Sequence, residues 1–191
     1  MEYRKLGNSG LKVSTLCLGT MMFGDRTDEK EAGRIMGSAF DAGVNFIDTA
    51  DQYAKGESER ITGRLVASNR DHWVVATKVG NTMGPGPNQI GLGRKWIMQA
   101  IDASLKRLGS DYVDVYYLPR DFADATLDET VVALGDILRA GKARYFGLSH
   151  FRRCRIAEPF RLLSRPTAPR PTVRHPYPPP LPPPPHARIL P

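Results

Sequence analysis

The sequence predicts an α/β fold built on a parallel sheet, and three observations predict it. Short apolar runs alternate with segments of helical period along most of the chain. The runs begin near residues 15, 45, 73, 113 and 143, a mean repeat of about 32 residues, which is the size of a strand–helix–strand unit. The runs are apolar throughout, as strands covered by helices are. A doubly wound sheet and a (β/α)8 barrel both satisfy this pattern.

The elements follow in order. Residues 3–6 and 11–14 flank Asn8-Ser9-Gly10, a turn-rich stretch, and suggest an N-terminal hairpin. Residues 15–18 form the first strand of the repeat. Residues 28–42 read as a helix with Asp28 or Thr27 as N-cap, an apolar face of Ile35, Met36, Ala39 and Phe40, and Gly43 as its stop. Strands are expected over 45–48 and 73–78, with a helix over 57–68 between them. After a Gly/Pro loop over 81–93, Arg94–Leu108 places Ile97, Ile101, Leu105 and Leu108 on one helix face. Val113–Leu118 and Ala143–Leu148 are the last strands, separated by a helix over 127–140 that Gly141 closes.

Composition bounds the rest. The chain has 191 residues, 41% hydrophobic and 25% charged, enough for one domain with a sizeable core. It has no apolar run of about 18 residues and no apolar N-terminal leader, so neither a membrane nor secretion is expected. Two cysteines, Cys17 and Cys154, fit a reducing cytoplasm, and Cys17 in its apolar run is expected to be inert core.

The formal net charge of +7 belongs wholly to residues 151–191, which also hold thirteen of the sixteen prolines. Residues 1–150 are neutral, so no specific nucleic-acid surface is expected on the folded part. Proline removes ladder and helix hydrogen bonds, so residues 159–191 are expected to be an extended, disordered low-complexity tail after a folded unit over 1–158. The 43 residues after Leu148 cannot supply three further units, and an open sheet edge would favour self-association. The tail also fits a polyproline ligand for an aromatic groove, or out-of-frame coding sequence.

Polar residues of interest fall where strands end, the active face of a parallel α/β fold. Asp48 closes one run, Tyr53 follows in the next loop, and Lys78 closes another. Singly, each is commonplace: a turn carboxylate, a packed phenol, a solvated lysine. Together they form a chemical group. A lysine cation beside a phenol favours phenolate and makes the phenol a better proton donor, and a carboxylate keeps that lysine charged and oriented.

Asp48, Tyr53 and Lys78, with Gly19-Thr20-Met21 and Gly147-Leu148-Ser149, closely resemble the aldo-keto reductase family. The stretches YAKGESE (53–59), LKRLGSDYVDVYY (105–117) and GKARYFGLS (141–149) match in the expected order. The resemblance runs from about residue 1 to 158. It implies a TIM-type (β/α)8 barrel, here partial with about five units, closed at its base by the N-terminal hairpin. It implies hydride transfer from NADPH to a small carbonyl substrate, with Tyr53 as general acid tuned by Lys78 and Asp48. Gly19, Thr20, Met21, Asp48 and Ser149 would line the nicotinamide site, with His150 standing where the family has an Asn on the carboxamide.

Two departures qualify this. Pro119 occupies the place of the family's substrate-binding histidine, and the family's last strands and adenosine-phosphate clamps have no counterpart. A truncated or frameshifted, non-catalytic relative is therefore the alternative, as is a cofactor-sensing one of the kind that serves as a channel subunit. Gly19 to Gly24 has the glycine spacing of a phosphate loop without its lysine, and no metal motif is present.

Overall fold

The computed structural model describes residues 1–120, 122 and 126–149. Strands β1 (Tyr3–Lys5) and β2 (Lys12–Ser14) form the expected antiparallel hairpin, with Arg4 opposite Val13. The other strands are β3 (Cys17–Gly19), β4 (Phe46–Asp48), β5 (Val74–Lys78), β6 (Val113–Leu118) and β7 (Ala143–Leu148). They pair in parallel and in sequence order, β3-β4-β5-β6-β7. Helices α1 (Glu29–Asp41), α2 (Glu57–Val66), α3 (Arg94–Leu108) and α4 (Leu127–Arg139) connect them.

Helices α1 and α4 begin where a side chain satisfies one of their first free N–H groups. The Asp28 carboxylate accepts from Glu31 N at 2.8 Å, and the Thr126 hydroxyl accepts from Glu129 N at 3.3 Å. Helix α3 has no cap of its own after Gly93. Its neighbour supplies one, because Glu129 Oε1 of α4 accepts from Arg94 N at 2.7 Å.

Alternation along the strands sorts two cores. Ile47, Val75, Tyr116, Phe146 and Leu148 pack outward with Met36, Ile61, Ile97, Ile101 and Leu134 from all four helices. Phe46, Val74, Ala76, Val115 and Tyr117 point the other way and pack against Leu6, Leu11 and Val13 of the hairpin. No helix residue joins this second cluster among the described residues. A doubly wound sheet would carry helices on both faces and reverse its strand order at a switch point. Sequential order with all the described helices outside and a hairpin plugging the inside is a partial barrel of TIM type.

Among the described residues, β3 and β7 pair on one side only, the open edges expected from the sequence. The strand expected over 15–18 is shifted to Cys17–Gly19. The helix expected over 57–68 ends at Val66 and tightens into a 3₁₀ turn over Ala67–Asn69. Residue Cys17 is exposed, which corrects the expectation of a core position, while burial and the nearby Asp48 charge push its thiol up to about 12. Its strand is an edge, and the hairpin side chains cover β4 to β6 instead. Phe40 is likewise exposed, with its ring centroid 4.6 Å from that of His72. No described helix is long and apolar enough to cross a membrane. The Pro-rich tail, its boundary near residue 158, His150 and Cys154 lie outside the described residues.

Candidate active site

Register carries the candidate residues to one place. Asp48 aligns with Gly19 on β3 and Ala76 on β5, and Lys78 aligns with Tyr117 on β6. Because Ile47 is spent on the outer core, Asp48 must face inward. The same parity turns Lys78 inward, while Thr77 faces the helices. Both charges therefore sit at the C-terminal end of the inner face, beyond the apolar plug of the hairpin.

Tyr53 arrives by a tight turn. After β4 the chain enters a 3₁₀ turn over Tyr53–Gly56, in which Ala54 (φ 47°), Lys55 (φ 54°) and Gly56 (φ 88°) are all left-handed. Such a conformation costs roughly 1–3 kcal/mol for each residue with a Cβ and persists only where its surroundings enforce it.

The three side chains meet. Lys78 Nζ donates to Asp48 Oδ2 at 2.6 Å, to the Thr49 carbonyl at 2.9 Å and to the Tyr53 phenol oxygen at 3.1 Å. An ammonium has three donors, so all are used. The phenol accepts from the lysine and keeps its own proton for another acceptor. The Lys78 and Asp48 side chains are 18% and 29% exposed, so the pair is partly shielded from solvent screening.

A cavity of about 480 Å³ opens beside Tyr53, lined by Met21, Met22, Asp25, Tyr53 and Lys55 among others. Of the residues expected around a nicotinamide, Met21 is 54% exposed, and a Cβ added to Gly19 would meet nothing within 4 Å. Thr20 is fully buried, its hydroxyl 2.8 Å from that of Ser58. Ser149 is half-buried beyond β7, its N–H donating to the Leu118 carbonyl at 2.9 Å. Pro119 follows β6 directly and is half-buried.

Behind the site lies a polar layer that sequence reasoning missed. The Ser58 hydroxyl donates to the Thr20 carbonyl at 2.8 Å and lies 3.0 Å from Thr49 Oγ1. Next to it, Glu59 is fully buried, accepting from Thr77 Oγ1 and Arg107 Nε, each at 2.6 Å. Asp51 is 2% exposed with Oδ2 unpartnered. Burial, reinforced by the Glu59 charge and only partly countered by Arg107, pushes its carboxyl up to about 7. The available signal was YAKGESE itself, where a glutamate two residues into a helix stands beside a serine, yet nothing in one sequence pairs it with Arg107.

The chain matches the family model "Aldo/keto reductase family" over residues 15–163. It is 44% identical over 162 residues to a probable voltage-gated potassium channel subunit beta of Arabidopsis thaliana, covering 83% of this chain and 49% of that one. It is 37% identical over 158 residues to L-glyceraldehyde 3-phosphate reductase of Escherichia coli, covering 79% of this chain and 46% of that one. The chain thus spans about half the length of these curated relatives. With its parallel sheet, outer helices and inner hairpin, and with this match over most of its length, the chain belongs to the aldo/keto reductase family.

Proposed function

We propose that the chain carries the reacting half of an NADPH-dependent carbonyl reductase. One observation carries the reading: Lys78 donates to Asp48 and Tyr53 together, which leaves the phenol proton free for an acceptor. The described residues fit the reacting end of a nicotinamide cofactor. Space is open above Gly19, beside the carboxylate, ammonium and phenol. When bound, the reduced nicotinamide supplies the hydride that adds to the carbonyl carbon of a small aldehyde or ketone.

The chain's own residues do the rest. Tyr53 gives its proton to the carbonyl oxygen, so that hydride and proton together make the alcohol. Lys78 stabilises the phenolate left behind, and Asp48 keeps Lys78 charged and aimed. Met21 and Met22 offer an adaptable apolar wall for the substrate. Gly19, Thr20, Met21, Asp48 and Ser149 are the residues we assign to the nicotinamide side. A cytoplasmic location and self-association through the edges of β3 and β7 belong to the same reading.

The test is loss of reduced-nicotinamide absorbance with a small aldehyde, comparing the 191-residue chain with Tyr53→Phe. Turnover that Tyr53→Phe removes supports the reading, and turnover that survives it refutes the role of the phenol.

A second reading is a cofactor-binding protein without turnover. It is favoured by Pro119, which has no proton to give at the end of β6, and by the relatives named as channel subunits. NADPH binding without turnover in either chain would select it.

A further inference from the structure

We propose that Glu59 and Arg107, which touch no reacting group, are positioning residues: their buried ion pair holds the Tyr53 turn against the end of β5 and so sets the Lys78–Tyr53 contact. The proposal rests on the reading of Asp48, Tyr53 and Lys78 as the reacting group.

Glu59 is out of character for its place. A glutamate in the first turn of a helix serves well at the surface, where it meets the helix dipole. Glu57 does this, pairing with Arg60 and Arg64 in solvent. Glu59 is instead 0% exposed, and each of its oxygens is committed to a different element. Oε1 accepts from Thr77 on the outer face of β5, the residue immediately before Lys78. Oε2 accepts from Arg107 near the end of α3. A buried pair of this kind is often no more stabilising than apolar side chains of similar volume. What it adds is direction, since the bond to either element fails if that element slides.

Arg107 carries that constraint to the turn. Its Nη2 donates to Ser104 Oγ at 3.1 Å, which fixes the guanidinium along α3. The distal part of its side chain crowds Gly56, where an added Cβ would stand 2.6 Å from Cδ and 2.9 Å from Nε. Gly56 ends the run of three left-handed residues that begins after Tyr53. The turn is strained and needs an external clamp, and Arg107 packs against it from the helix layer. The backbone bond from Asp51 N to the Lys78 carbonyl, at 3.2 Å, ties the start of this loop to β5. Beside the Lys78–Tyr53 bond itself, Glu59 and Arg107 add a second link between the far end of the turn and the strand bearing Lys78.

The test is a spectroscopic cycle on the full 191-residue chain carrying ring-labelled tyrosine, with the Tyr53 resonance assigned through Tyr53→Phe. Lys78→Met is expected to move that resonance in the parent chain. In a Glu59→Gln background that still melts cooperatively, the same substitution is expected to move it at most about half as far. Thr77→Val removes only the hydroxyl that meets Glu59, and it serves as the background should Glu59→Gln fail to fold. An unchanged Lys78-dependent shift in a folded Glu59→Gln or Thr77→Val chain overturns the positioning role and leaves the site reading intact. A Tyr53 resonance that ignores Lys78→Met in the parent chain overturns both.

Discussion

Lys78 closes a central strand and Tyr53 sits in a left-handed turn, yet the lysine ammonium donates to the phenol oxygen across 3.1 Å. The bond is directional. A protonated lysine has no lone pair, so the phenol must be the acceptor and its own proton points elsewhere. Proton delivery to a carbonyl needs this orientation, and the other two lysine donors are occupied by Asp48 and the Thr49 carbonyl.

Tyr53→Phe is expected to lower turnover by about 10²–10⁴, the usual worth of a positioned acid. The affinity for NADPH and the melting temperature should stay close to those of the parent. Steady-state rates beside a fluorescence titration of the cofactor check both parts.

Pro119→His is expected to raise turnover by up to about 10²–10⁴ by returning a donor to the end of β6. Cofactor affinity should not change. A rate equal to the parent's would mean that the residue after Leu118 does not reach the substrate.

Asp51 predicts a pH dependence of stability. Its carboxyl is pushed up to about 7 in the fold, mainly by burial, so between about pH 4 and 7 the folded state holds a proton that the unfolded chain has released. Stability from this group is complete below that window and falls as pH rises through it, by on the order of 4 kcal/mol in all. Asp51→Asn stays neutral, so its stability relative to the parent should improve from pH 5 to pH 8. A flat difference in denaturant unfolding over that range would contradict the burial argument.

Two glycines should respond in opposite directions. A Cβ at Gly63 of α2 would collide with the backbone carbonyl of Leu108 at the end of α3. Gly63→Ala should therefore cost about 1–3 kcal/mol by forcing the helices apart. Gly37 lies in α1 with nothing within 4 Å of an added Cβ, and Gly37→Ala should stabilise by about 0.5–1 kcal/mol. Thermal melting of the two variants checks the pair.

Much of this was legible in the sequence. Arg94–Leu108, Val113–Leu118 and Ala143–Leu148 have the predicted bounds because apolar period and glycine stops agree there with the packing. Asp48, Tyr53 and Lys78 could be grouped because strand ends of a parallel sheet share one rim. Other features were not legible. The left-handed Ala54 and Lys55 carry no glycine or asparagine signal, and the neighbour packed on the following Gly56 is Arg107 of another helix, which local sequence does not reveal. The burial of Glu59 depends on that same arginine 48 positions away. Cys17 looked buried because its run is apolar, but a single sequence does not say which strand lies at an edge.

The most direct measurement is NADPH binding by the 191-residue chain, followed by cofactor fluorescence with circular dichroism on the same sample. Saturable binding to a natively folded chain is the expected result. No saturable binding by a chain with native-like dichroism would contradict the claim that these strands form a working nicotinamide site.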